Sequence, residues 1–152
     1  DLGRPALDTL AGLAREAQDL LDEVPQHCLV HSDLNPKNLL LVRDPDATDG
    51  GVSVSGVLDW EFAHAGSPWA DLGNLLRLDR APAYVDALLG TVAERRGVDV
   101  ATLVERARAA DLVAVMELAT RRGDNPVADL AHRQLVAMVR RGDLHAVADD
   151  AP

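Results

Sequence analysis

The chain has 152 residues, 47% hydrophobic, 26% charged and only 3% aromatic, the composition of one globular domain and not of collagen, a coiled coil or a disordered tract. Fifteen Lys+Arg against 25 Asp+Glu give a net charge of −10, which argues against a nucleic-acid partner. No stretch reaches the roughly 20 apolar residues of a membrane span, and the single cysteine, Cys28, excludes a disulfide framework and fits a reducing, cytoplasmic setting.

In chain order, Leu7, Leu10, Leu13, Ala14, Ala17, Leu20 and Leu21 recur at three-four spacing, predicting an amphipathic helix from Pro5 to Glu23, ended by Pro25. Gln26 to His31 reads as a short strand with Cys28 buried in it. Ser32 to Lys37 is a loop, and Asn38 to Arg43 a second strand. Asp44 to Gly51 is dense in turn formers and predicts a hairpin tip, with Val52 to Leu58 alternating as the return strand. A loop runs to Ser67, which is placed as the N-cap of a helix beginning at Pro68. Three further helices follow, from Pro82 to Gly97, from Asp99 to Gly123, and from Asn125 to Gly142. Residues 143–152 are expected to fray. Trp60, Trp69, Met116 and Met138 read as packing residues. Helices segregated from a small β unit make the fold class α+β, mostly α.

Polar residues gather in two loops, His31-Ser32-Asp33-Leu34-Asn35-Pro36-Lys37-Asn38 and Leu58-Asp59-Trp60-Glu61. The antiparallel hairpin between them brings Asn38 and Asp59 to one end of the ribbon, with Asp33 just ahead of Asn38. Two carboxylates and an amide oxygen suit Mg²⁺, which takes oxygen ligands and keeps water and phosphate in its other positions. Asp33, set apart from the metal, suits a proton acceptor for a hydroxyl nucleophile. A metal-dependent hydrolase built on His27, His31, Asp33 and His64 is a weaker alternative, because such a site needs ligands from further strands.

His31-x-Asp33-x-x-x-x-Asn38, a hairpin and Asp59 resemble the catalytic and metal-binding segments of the protein-kinase-like superfamily. With His31-Ser32-Asp33 and Asp59-Trp60-Glu61, and the run from Leu58 to Gly73, the chain is most similar to the aminoglycoside phosphotransferase family, also called the phosphotransferase enzyme family. The similarity is strong over residues 27–77 and architectural elsewhere. It implies that Asp33 is the catalytic base and that Asn38 and Asp59 bind Mg²⁺ on the phosphates of ATP or GTP. It also implies that His31 and Asp71 support the catalytic loop. The first-turn position of Asp71 equally fits an ordinary acid on the helix dipole. Lys37, the only lysine in the chain, lies four residues after Asp33. It is placed either as a catalytic cation on the transferred phosphate or as a solvated loop lysine.

A complete enzyme of this kind also needs a glycine-rich loop over the phosphates and a strand lysine paired with a helix glutamate. Neither precedes residue 31. The resemblance therefore implies that residues 1–152 are a kinase-like C-terminal lobe, with the N-terminal nucleotide lobe absent from this chain and the isolated piece inactive. The expected partners are a nucleotide and a hydroxyl-bearing small molecule, with a dimer through the uncovered lobe face as a further expectation. The acceptor is expected between the catalytic loop and the helices after Pro82. A catalytically inactive binding module is the alternative in a different class.

Overall fold

The computed structural model describes residues 3–24, 26–43, 51–77 and 81–148. Helix α1 (Arg4–Asp22) carries Pro5 in its first turn, where its missing N–H costs nothing, and buries Leu13 and Ala17. Two short antiparallel sheets follow. Strand β1 (Cys28–Val30) pairs with β4 (His64–Gly66), and β2 (Leu39–Arg43) with β3 (Val52–Val57) in a hairpin whose register slips between Leu40 and Leu41. Helix α2 is Ala70–Leu76, α3 Pro82–Arg96, α4 Val100–Thr120 and α5 Pro126–Arg141.

The helix ends obey their local chemistry. Asp99 accepts the Thr102 N–H and Asn125 the Ala128 N–H, capping α4 and α5, while left-handed Gly97 and Gly142 stop α3 and α5. Helix α4 is the shared wall of two cores. On one side Leu112 and Val115 meet Leu13 of α1, Met138 of α5 and Leu144. On the other, Leu103 and Ala107 meet Trp69, Leu72 and Leu76 around α2, and Leu89 of α3. Trp69 is held between cations, with the Arg96 and Arg106 guanidinium carbons each 5.8 Å from its ring. Contact between α2 and α4 is backbone-close at Gly73, where a Cβ would lie 2.5 Å from the Ala107 carbonyl oxygen.

Several expectations need correction. The segment read as loop ahead of Ser67 contains β4, whose three residues are too few to show alternation. Helix α2 starts at Ala70, because Ser67 caps the preceding turn instead, its hydroxyl accepting the Trp69 N–H at 3.4 Å. Residues 143–148 are packed rather than frayed. Leu144 and Ala146 enter the first core, and buried Gln134 bonds to the Ala146 carbonyl and the Ala148 N–H. Cys28 is exposed, since of the three residues of β1 only Val30 is covered. Trp60 is half-exposed and Met116 partly buried, whereas Trp69 and Met138 are buried. The hairpin tip at 44–50 and Pro25 lie outside the described residues. No helix among the described residues is long and apolar enough to cross a membrane.

Candidate active site

The loop after β1 is anchored by a carboxylate 40 residues away. Asp71, in the first turn of α2, accepts the backbone N–H of His31 at 3.1 and 2.9 Å and that of Ser32 at 2.8 Å. Ser32 takes up the left-handed conformation, φ 67°, and the chain reverses there. The buried His31 ring makes two further ties. Its Nε2–H donates to the Leu58 carbonyl at 2.7 Å, and its Nδ1 accepts the Asp33 N–H at 3.3 Å, which fixes the tautomer. The ring also packs on Trp60 at 4.8 Å between centroids. His31 and Asp71 thus tie the loop to Leu58 and to α2.

Asp33 is half-buried at the turn of this loop. Asn38 Nδ2 donates to the Asp33 carbonyl at 2.9 Å and to its Oδ2 at 3.1 Å, so one carboxylate oxygen is gripped. Asn35, a residue without a role in the sequence reading, binds the Asp33 carbonyl through Nδ2 and accepts the Lys37 N–H through Oδ1. That Asx cap sets the 3₁₀ turn Pro36–Asn38 and is the signal that could have found it. The Lys37 side chain is exposed and lies outside the cleft described below.

The hairpin delivers Asp59 as its register requires. Leu39 pairs with Val57, the Leu58 N–H donates to the Asn38 carbonyl at 2.8 Å, and Asp59 follows immediately. Its carboxylate is exposed and its backbone left-handed, φ 65°. Ser32 and Asp59 are the two non-glycine residues at positive φ among those described. Such conformations cost about 1–2 kcal/mol each, and both flank the site.

Asp33 opens onto a cleft of about 650 Å³. Its lining includes Ser32, Phe62 and His64, Asn74 of α2 with Arg77 at its C-cap, and Val113, Ala114 and Glu117 of α4. This cleft is bordered by α4, whereas Leu88, Val92, Arg95 and Arg96 of α3 line a separate groove beside Trp69. Ser32 Oγ is 3.1 Å from His64 Nδ1, which also lies 3.0 Å from the Phe62 carbonyl. Arg77 is paired with buried Asp111 at 2.6 Å and Arg121 with Glu117 at 2.8 Å. The Arg77–Asp111 pair was not legible beforehand, because a 34-residue separation leaves no local pattern.

The donor set decides which metal could be held. Among the described residues, no three His, Cys, Asp or Glu side chains stand where they could jointly bind a metal, which removes the support for a hydrolase on His27, His31, Asp33 and His64. The His31 and His64 rings are instead committed to backbone and loop partners. The exposed Asp59 carboxylate and the Asn38 amide oxygen, whose nitrogen is already engaged, are oxygen donors too few for a closed site. They fit Mg²⁺, which brings water and phosphate oxygens of its own.

No curated protein and no solved structure matches the chain. Residues 2–112, however, match the model of the phosphotransferase enzyme family, a span that holds α1, both sheets, the braced loop and Asp33, Asn38, Asp59 and Asp71. The chain belongs to the phosphotransferase enzyme family.

Proposed function

We propose that this chain is the catalytic-loop lobe of a kinase that moves the terminal phosphoryl group of ATP or GTP to a hydroxyl of a small molecule. The observation that carries the reading is Asp33, half-buried on a loop tied down by Asp71, His31 and Asn38, with its carboxylate lining a cleft of small-molecule size. Asn38 grips Oδ2, which leaves Oδ1 to receive the acceptor's hydroxyl proton as the oxygen attacks phosphorus. Asp59 and the Asn38 amide oxygen would hold Mg²⁺, whose charge offsets that developing on the phosphates. The loop supplies position, which is most of what phosphoryl transfer asks of a protein. A nucleotide lobe with its own glycine-rich loop and lysine completes the enzyme on this reading, since the single lysine here is Lys37.

The test uses the complete protein, Mg²⁺ and nucleotide labelled in its terminal phosphate, with a panel of hydroxylated acceptors. Label should pass to an acceptor. Asp33→Asn should reduce kcat by about 10²–10⁴-fold while nucleotide binding survives. A variant that keeps more than a tenth of the activity would remove Asp33 from the role.

A further inference from the structure

The cleft has a charge and polarity that narrow its ligand. Although the chain carries a net charge of −10, the described charged residues lining the cleft are two carboxylates, Asp33 and Glu117, and two guanidiniums, Arg77 and Arg121. Glu117 is spent on Arg121, and Arg77 on Asp111 behind it. Of the acids facing the cleft, Asp33 alone lacks an ion-pair partner among the described residues, and it is the group assigned to the hydroxyl.

The apolar part is equally specific. Val113 is 73% exposed, the most exposed large apolar side chain among the described residues, on a helix that buries Leu112 and Val115 on either side of it. Phe62, 59% exposed, lines the same cleft, with Ala110, Ala114 and Leu118. Apolar surface held open in a concave site is stabilised when a ligand's apolar face covers it. A third observation concerns hydrogen-bond sense. Asn74 gives its Oδ1 to Arg77, while its Nδ2 is buried with no partner. That donor needs an acceptor oxygen, which an ammonium group cannot provide.

We infer that the acceptor is an uncharged alcohol with an apolar face and a second oxygen able to accept a hydrogen bond, rather than a polycation. Among the described residues, a molecule with three or more ammonium groups would find one cleft carboxylate without an ion-pair partner, Asp33, and its other charges would lack partners there. The inference rests on the phosphotransferase reading of the cleft. It goes beyond the family match, which ends at residue 112, ahead of Val113, Glu117 and Arg121.

The experiment sets the complete protein against a size-matched panel, half neutral aryl and alkyl glycosides, half amino sugars carrying three or more amines. Binding is read by thermal shift, transfer by label from the nucleotide, and Mg²⁺-nucleotide binding is measured in the same samples. Neutral members should bind and accept phosphate, with affinity that changes less than twofold between 50 and 500 mM salt. Val113→Asp, at an exposed position that keeps the fold, should weaken their binding at least tenfold. Phosphorylation confined to the amino sugars, or no member binding while nucleotide still does, overturns the acceptor inference and leaves the kinase reading standing. Failure to bind Mg²⁺-nucleotide overturns both.

Discussion

Both oxygens of the Asp71 carboxylate receive the N–H of His31, at 2.9 and 3.1 Å, so α2 and the end of β1 are joined at the residue before the loop reverses. The same carboxylate holds Ser32 at 2.8 Å, and Ser32 precedes Asp33. Asp71→Ala leaves two backbone donors without their acceptor and should lower stability by about 1–3 kcal/mol. The loss of activity should exceed the fraction unfolded, because Asp33 is displaced in molecules that remain folded. Asp71→Asn, which keeps one acceptor oxygen, should recover part of both. Denaturant midpoints and kcat on the same preparations separate the two effects.

For Lys37 the structure leaves a plain kinetic choice. Its side chain is exposed at the turn Pro36–Asn38, outside the lining of the cleft and four residues beyond Asp33. If it supplies charge to the phosphate in flight, Lys37→Met in the complete protein should lower kcat by one to three orders of magnitude, about 1.4–4 kcal/mol, with nucleotide affinity little changed. Arg should rescue in part. Unaltered kcat in Lys37→Met would make it a solvated loop residue.

The Arg77–Asp111 pair is a stability test. Arg77 is 12% exposed and Asp111 2%, with Nε and Nη2 both on the carboxylate. Asp111→Ala takes the carboxylate counter-charge from the largely buried Arg77 guanidinium and should cost about 3–5 kcal/mol, while the double change Arg77→Met with Asp111→Leu should cost much less. Urea unfolding of the three proteins gives the comparison.

A shallow pH dependence should come from His132. Burial lowers its pKa below the ordinary 6.5, the nearby Arg122 guanidinium lowers it further, and Asp129 opposes them. The folded chain then keeps the ring neutral where the unfolded chain takes up a proton. This stability is fully present above about pH 6.5 and is lost as pH falls through the folded value. Unfolding midpoints should therefore drop between pH 7.5 and 5.5, and His132→Gln should flatten the slope.

What could be read in advance followed the range of the forces involved. Helices were legible because caps and periodicity are local: Asp99, Asn125, Gly97 and Gly142 each mark an end within a residue. Hairpin register follows from its two strands, so the pairing that sets Asn38 beside Leu58, the residue before Asp59, was legible too. Strand β4 was not, because three residues become a strand only by pairing with β1, 36 residues earlier. The buried tail at Leu144 is likewise a tertiary event. In the cleft, Asp33 belongs to a motif, but Val113 and Glu117 lie on α4 and Arg121 at its C-cap, where the pattern reports burial and not what the open face meets.

The outer rungs of the β2–β3 ribbon are exposed, and that has a consequence for how motion reaches the site. Leu40, Leu41, Val42, Val52 and Val54 are each about half-exposed on a two-stranded sheet, whereas Leu39, Gly56 and Val57 at its root are partly covered. Isolated two-stranded ribbons are marginal in water, so amide protons on the outer rungs should exchange with solvent quickly. Those of Leu58, bonded to Asn38, and of His31, bonded to Asp71, should exchange slowly. The outer ribbon can thus open and close repeatedly while the Leu58–Asn38 and His31–Asp71 bonds persist.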